Sequence, residues 1–334
     1  MSTRSASTRR RGAPLVRVAR GLLGVALFAA ACSCGWAQDS FPARRITLVV
    51  PAAPGGGLDG TARLLSKRMA DEWGQAVIVE NQGGADGLIA TQRVANAPAD
   101  GYTMLLQIPS LLLLKHNTKN LGFDPAASFA PVSELGRTPS VISVSSKLPV
   151  HSVKELVAYC NAAAVPCTWG SGQQLSYLYG KRLFAVGGMK EATNVPYKGT
   201  APVITDLLGG HIIIGITSIA APLPHHQAGR LRILAVNAEK RSPQLPDVPT
   251  FREAGLSLPP RGSWYGLFVP RHTPQAIVAK IEKLIVALAD DRAAASVLRG
   301  LGAEPVFGTS RDFAVAIREE DAFLEDLVKQ YSLN

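Results

Sequence analysis

Residues 46–59, Ile-Thr-Leu-Val-Val-Pro-Ala-Ala-Pro-Gly-Gly-Gly-Leu-Asp, constrain this chain more than any other segment. Five apolar or β-branched residues, Ile46–Val50, stop at Pro51 and then at three glycines, the pattern of a buried strand running into a loop. A helix is predicted next, because Ala62, Leu65, Met69 and Trp73 fall on one face at helical spacing. Asp59 reads as its N-cap. A strand, a glycine loop and a helix N-terminus bring unpaired N–H groups to the positive end of a helix dipole, which suits an anion.

Three readings of that loop stay open. Gly55-x-Gly57-x-x-Gly60 satisfies the dinucleotide fingerprint, with Glu80 twenty residues further on where a ribose-binding acid would sit. Against it, the segment from Pro51 to Pro54 separates the strand from the glycines, whereas a dinucleotide turn needs them at the strand's end. A glycine-rich turn that only reverses the chain is the third reading.

The alternation continues. Strands are predicted over 76–79, 103–107, 141–145, 212–217, 231–236 and 264–269, and helices over 87–97, 152–161, 175–186, 201–208, 274–290, 293–301 and 311–331. The first βαβαβ run implies a parallel sheet with its glycine turns at strand carboxyl ends, where such sheets bind ligands. Residues 168–172 read as a turn, 231–236 as the neighbour of 212–217, and Leu111 to Leu114 as plain core.

The chain of 334 residues is 47% hydrophobic, enough for a large core, and its net charge of +10 looks at first like a nucleic-acid signal. Six arginines without an acid lie in residues 1–37, so the rest carries only +4, with no basic stripe interleaved with aromatics, and no nucleic-acid partner is expected. Those 37 residues form a basic segment, an apolar run and a stretch of small residues: a secretory signal with cleavage near Ala37, or a lipid anchor at Cys32. Two cysteines remain, Cys160 and Cys167, and export favours their pairing as a disulfide.

No catalytic constellation assembles. The histidines are scattered, there is no nucleophile elbow, HExxH or cysteine–histidine cluster, and no metal or cofactor is expected. Two α/β units with amide-lined turns, in an exported chain, point to a binding protein closing two lobes on a small carboxylate.

Val50 to Asp59, Val79-Glu-Asn81, Asp100-Gly-Tyr-Thr103, Phe129-Ala-Pro-Val132, Val195-Pro-Tyr-Lys-Gly-Thr200, Asp206-Leu-Leu-Gly-Gly210, Gly229-Arg-Leu-Arg232 and the segment 241–250 together resemble the Bug family of periplasmic solute receptors, the substrate-binding (TctC-like) components of tripartite tricarboxylate transporters. The resemblance implies an α/β fold of the type II periplasmic-binding-protein kind, with residues 38–140 and 260–334 as one lobe, 141–259 as the other, and a ligand cleft between them. It implies a monomeric, periplasmic, non-catalytic receptor that hands a carboxylate to membrane components. An exported dinucleotide-dependent oxidoreductase, or an orphan receptor used for sensing, are the alternatives.

Carried over by position, Ala52, Ala53, Pro54, Gly55 and Gly56 would form the first lobe's pincer, supported by Asp59, with Gln107 and Ser110 lining the wall. Gly172, Gln173, Gln174, Tyr177, Tyr197, Gly199, Thr200, Thr217 and Ser218 would supply the second lobe. Ala52 stands where many relatives have a bulky aromatic, Tyr177 where a histidine is usual, and Thr217-Ser218 where an Asp-Asn pair is common. Without an acid at 217 a ligand ammonium loses its partner, so a non-amino carboxylate, simple or aromatic, is expected.

Overall fold

The computed structural model describes residues 1–2 and 41–331, apart from 118–120, 126, 165, 190–191, 198 and 259–261. Cys32 and Ala37, and with them the predicted signal processing, lie outside the described residues. Residues 44–334 form one unit of contacts, separate from 1–43.

Within 44–334 the order is β1 (Ile46–Val50), α1 (Gly57–Trp73), β2 (Val77–Asn81), α2 (Leu88–Ala95), β3 (Thr103–Gln107), α3 (Ser110–Asn117) and β4 (Phe129–Thr138). Then come β5 (Ser140–Ser145), α4 (Val153–Ala162), β6 (Cys167–Ser171), α5 (Gln174–Gly187), β7 (Ala192–Pro196), α6 (Thr200–Gly209), β8 (Ile214–Ser218), α7 (Leu223–Gln227) and β9 (Leu231–Val236). The chain ends with β10 (Ser263–Pro270), α8 (Gln275–Ala287), α9 (Arg292–Gly300), β11 (Glu304–Pro305) and α10 (Ser310–Tyr331).

These strands form two sheets, a six-stranded one ordered β11-β4-β10-β3-β1-β2 and a five-stranded one ordered β7-β6-β8-β5-β9. Ile46, Leu48, Val49 and Val50 are all buried, because β1 is inside the first sheet with both faces covered. Helix α1 buries Ala62, Leu65 and Met69 and ends at Gly74, whose left-handed φ of 66° lets its N–H reach Ala70 O.

The chain changes sheet at Pro139, between β4 and β5, and returns before β10. The two crossings run side by side: a Cβ on Gly262 would lie 2.6 Å from Thr138 O. Trp169 is the centre of one apolar cluster, with Phe184 edge-on at 5.1 Å between ring centroids. Leu111, Leu112, Leu113 and Leu114 of α3 are buried in another, together with Phe313, Leu324 and Leu327 of α10.

Three expectations change, and the expected disulfide is present. Residues 167–171 are strand, not turn, pairing parallel with β7 and β8. β9 is not the neighbour of β8, because β5 enters the sheet between them, antiparallel to both. The second sheet is therefore mixed rather than a repeat of a parallel unit. Asp59 is not the N-cap of α1: Gly56 is, and Asp59 lies in the first turn. Cys160 and Cys167 are joined by a disulfide that ties the end of α4 to the start of β6.

Candidate functional site

Strand direction decides which loops share an edge. β1, β2 and β3 are mutually parallel, so the segments that follow them, 51–56, 82–87 and 108–110, emerge at one edge of the first sheet. β6, β7 and β8 are likewise parallel, which brings 172–174, 197–200 and Thr217-Ser218 to one edge of the second. The sequence-predicted residues are thereby gathered into two sets, one on each sheet.

In the first set the backbone is held open by side chains. The Gly55 N–H donates to Asp59 Oδ2 at 2.9 Å, and Arg63 Nε donates to the same oxygen at 3.0 Å. Asn81 Nδ2 donates to Ala52 O at 3.1 Å, anchoring the loop to the end of β2. Asp59 has only 4% of its side chain exposed. Burial pushes its carboxyl pKa up, but the bonds from Arg63, Gly55 and Asn81 outweigh this and hold it below the usual carboxylate range. Through Oδ2, Asp59 thus fixes the loop. Ala52 is half-buried, and Ala53, Pro54, Gly55 and Gly56 are exposed. Within α1, Gly57 lies against the Tyr265 hydroxyl and Gly60 against Leu301, so both serve close packing and neither belongs to a tight strand–helix turn.

Gln107 is buried beneath α2. Its Nε2 donates to Thr91 Oγ1 at 3.2 Å, and its Oε1 accepts the Ile108 N–H at 2.8 Å. It buttresses the edge, while Ser110, half-buried, opens α3.

The second set is built on backbone contact. Gly199 N donates to Gly172 O, and Tyr197 N to Ser171 O, both at 3.0 Å. A Cβ on Gly172 would overlap the Gly199 carbonyl and lie 2.8 Å from Thr200 N, so the position has no room for a side chain. Two predicted side chains have partners within the protein. Tyr177 stacks on Trp169, with centroids 5.8 Å apart and 15° between planes. Tyr197 donates from its hydroxyl to Asp206 Oδ2 at 2.6 Å, and its pKa is pushed up to about 12 by burial and by that carboxylate. Thr217 is buried, its hydroxyl on Ser218 O at 3.2 Å, and Ser218 is half-buried at the strand end.

Besides the side chains of Ser110, Gln173, Gln174, Thr200 and Ser218, these edges present main-chain N–H. Helices α1, α5 and α6 begin there at Gly56, Gln173 and Gly199, and none of the three caps makes a side-chain hydrogen bond. α4 follows β5, which runs antiparallel to β8, so α4 starts at the opposite edge, where Ser152 caps it by accepting from Glu155 N. A helix first turn without a side-chain cap, at the positive end of a helix dipole, receives an anion without needing a cationic side chain. Asn81 and Tyr265 were not among the predicted site residues. Asn81 had only the weak signal of a polar residue ending an apolar run, and Tyr265 had none. Among the described residues no cluster of histidine, cysteine or acidic side chains could hold a metal ion, and no helix is long and apolar enough to cross a membrane.

Comparison with known proteins agrees with this arrangement. A family profile described as "Tripartite tricarboxylate transporter family receptor" matches residues 61–333. Protein BugT of Bordetella pertussis is 32% identical over 296 residues, covering 86% of this chain and 89% of BugT. The structure of R. palustris Rpa4515 with adipate superposes with a TM-score of 0.79 at 35% identity, covering 86% of this chain and 97% of that one. MatC from Rhodopseudomonas palustris with bound malate gives a TM-score of 0.74 at 31% identity, covering 86% of this chain and 100% of that one. The chain belongs to the tripartite tricarboxylate transporter family of receptors, the Bug/TctC type of periplasmic solute-binding protein.

Proposed function

We propose that this protein captures a small carboxylate in a cleft between two lobes, 38–140 with 260–334 and 141–259, and delivers it in the periplasm to the membrane components of a tripartite tricarboxylate-type transporter. The observation that carries the reading is the set of open helix N-termini, α1 on one sheet and α5 and α6 on the other, at the edges formed by parallel strands. Two similar proteins hold adipate and malate, both small carboxylates, which supports the ligand class.

In this reading the first turns of α1, α5 and α6, with the N–H groups of the exposed Ala53 and Gly56, hold the carboxylate. Asp59, Gln107, Tyr177 and Tyr197 keep those backbones in place, and Ser110, Thr200 and Ser218 supply hydroxyls at the rim. Thr217 gives the second lobe no negative charge for an ammonium group, so the ligand is a non-amino carboxylate. Ala52 and Ala53 leave room beside the pincer for a bulky, including aromatic, body.

Thermal unfolding of the purified protein with malate, adipate, benzoate, L-aspartate, L-glutamate and NADH tests this. A ligand at a hundred times its Kd adds about 2.7 kcal/mol of stability, a rise of roughly 5–10 °C. The rise is expected with at least one of malate, adipate and benzoate. A rise with aspartate or glutamate alone overturns the non-amino assignment, and a rise with NADH alone overturns carboxylate capture altogether.

A further inference from the structure

Helix α5 is gripped on two sides. On one, Gly180 lies so close to the Trp169 ring that a Cβ would overlap it, which fixes the helix to the second sheet. On the other, Tyr179 donates from its hydroxyl to Glu320 Oε1 of α10 at 2.9 Å, and the two residues are 4% and 1% exposed. Around that bond Tyr179 packs on Phe323, with centroids 6.0 Å apart. Leu175 and Leu178 join the apolar cluster of α3 and α10, and Arg182 Nη1 donates to Gln330 Oε1 at 3.1 Å. α10 itself packs on β4 of the first sheet. Residues adjacent in sequence, 179 and 180, therefore tie one helix to both halves of the molecule.

Sliding α5 off α10 would strip a buried carboxylate of a hydrogen-bond donor, which is expensive in a low-dielectric interior. Rotation about the seam leaves the bond intact. The crossings at Pro139 and Gly262 supply the other point of attachment. We propose that the Tyr179–Glu320 hydrogen bond is the pivot on which the two halves turn, and that Tyr179 and Glu320 are positioning residues for ligand capture, since they set where the amino terminus of α5, and the Gly199 loop bonded to it through Gly172, stands relative to the first sheet. The part concerning capture rests on the carboxylate-binding reading above; the pivot does not.

The test is a distance measurement between spin labels at Gln92→Cys on α2 and Thr205→Cys on α6, both exposed, with the native disulfide kept oxidised. Without ligand the parent protein is expected to give one narrow distribution. Tyr179→Phe keeps the ring and removes the donor, and it is expected to broaden the distribution. Glu320→Gln, whose amide oxygen still accepts from Tyr179, is expected to keep it narrow. The Tyr179→Phe/Glu320→Leu double variant removes the bond together with the buried carboxylate, while Arg137 keeps its pair with Glu134, so it is informative even where the single variant fails to fold, and it too is expected to broaden. A distribution as narrow as the parent's in that double variant overturns the pivot, as does broadening in Glu320→Gln equal to that of Tyr179→Phe. Dissociation rates of malate and adipate add the second readout. A rise of about tenfold in Tyr179→Phe, the scale of one lost hydrogen bond, with little change in Glu320→Gln, is expected, and an unchanged rate beside a broadened distribution removes the positioning role alone. If neither acid binds the parent protein, the ligand class fails while the distances still decide the pivot.

Discussion

Gly172→Ala is the sharpest test of how the second edge is built. The added Cβ would overlap the Gly199 carbonyl and stand 2.8 Å from Thr200 N, all backbone atoms that no rotamer change can move. Ordinary contact begins near 3.5 Å, so the loops 171–173 and 197–200 must part by roughly 1 Å. That breaks the 3.0 Å bond from Gly199 N to Gly172 O, worth about 1 kcal/mol, and adds an overpacking cost of about 1–3 kcal/mol. The expected loss is about 2–4 kcal/mol in urea unfolding, with ligand affinity reduced at least about tenfold because the α5 and α6 first turns are no longer in register. Gly56→Ala is the control: φ is −83° there and no atom lies within 4 Å of the new methyl, so stability should stay within about 0.5 kcal/mol of the parent. Gly172→Ala with parental stability and parental affinity would refute the claim that backbone contact holds this edge together.

Replacing both Cys160 and Cys167 by serine opens a short loop between α4 and β6 and should cost about 2.5 kcal/mol in chemical unfolding; a loss under about 0.5 kcal/mol would show that the reduced chain keeps the loop closed by itself. Tyr197 has a folded pKa of about 12, above its ordinary value, so the stability it contributes is whole below about pH 10 and is lost as pH rises through 12. Tyr197→Phe should therefore flatten the alkaline fall in stability and remove one late-ionising tyrosine from an absorbance titration; an unaltered titration would place the hydroxyl away from Asp206. Gln173 has extended φ and ψ of −155° and 154°, the geometry of a good N-cap. Gln173→Ser should stabilise the chain by about 1 kcal/mol and weaken carboxylate binding by engaging the amides of α5's first turn, and a variant that binds more tightly would contradict the role proposed for those amides.

Much of the fold was legible because its strands are written as apolar runs. Ile46–Val50, Thr103–Gln107 and Leu231–Val236 have the bounds that the runs have. β6 was not legible: Cys-Thr-Trp-Gly-Ser looks like a turn, and Gly170 is there because Ile212, Val203 and Tyr197 crowd the space a Cβ would take, 2.7 Å from Ile212 Cδ1. β4 carries Pro131, Glu134 and Gly136, which argue against a strand, yet it sits between β10 and β11, and the buried Glu134 is neutralised by two bonds of 2.7 Å from Arg137. At the site, the glycine loops announced open amides, but the duties of Gln107, Tyr177 and Tyr197 could not be read, since each is fixed by Thr91, Trp169 or Asp206 through the fold and not through any local pattern.

The capping pattern links stability to function. Ser152 on α4 and Asp291 on α9 satisfy the amides of their own first turns, Asp291 with two bonds of 2.8 and 3.0 Å. An N-cap of that kind is worth about 1 kcal/mol. α1, α5 and α6 forgo it together, at the strand edges where the two glycine-rich sets lie. On the second sheet the helix at the opposite edge, α4, is capped, whereas α5, α6 and α7, which follow β6, β7 and β8, are not; α2 and α8 also begin without a side-chain cap. At Gly199 the choice is enforced, since its φ of 100° is one that side-chain-bearing residues rarely adopt, so no serine or aspartate is readily placed there. Glycine caps at α1 and α6 give up only a few tenths of a kcal/mol each and Gln173 about 1 kcal/mol, so in the proposed reading an arriving carboxylate has on the order of 1–2 kcal/mol of capping to supply at these termini.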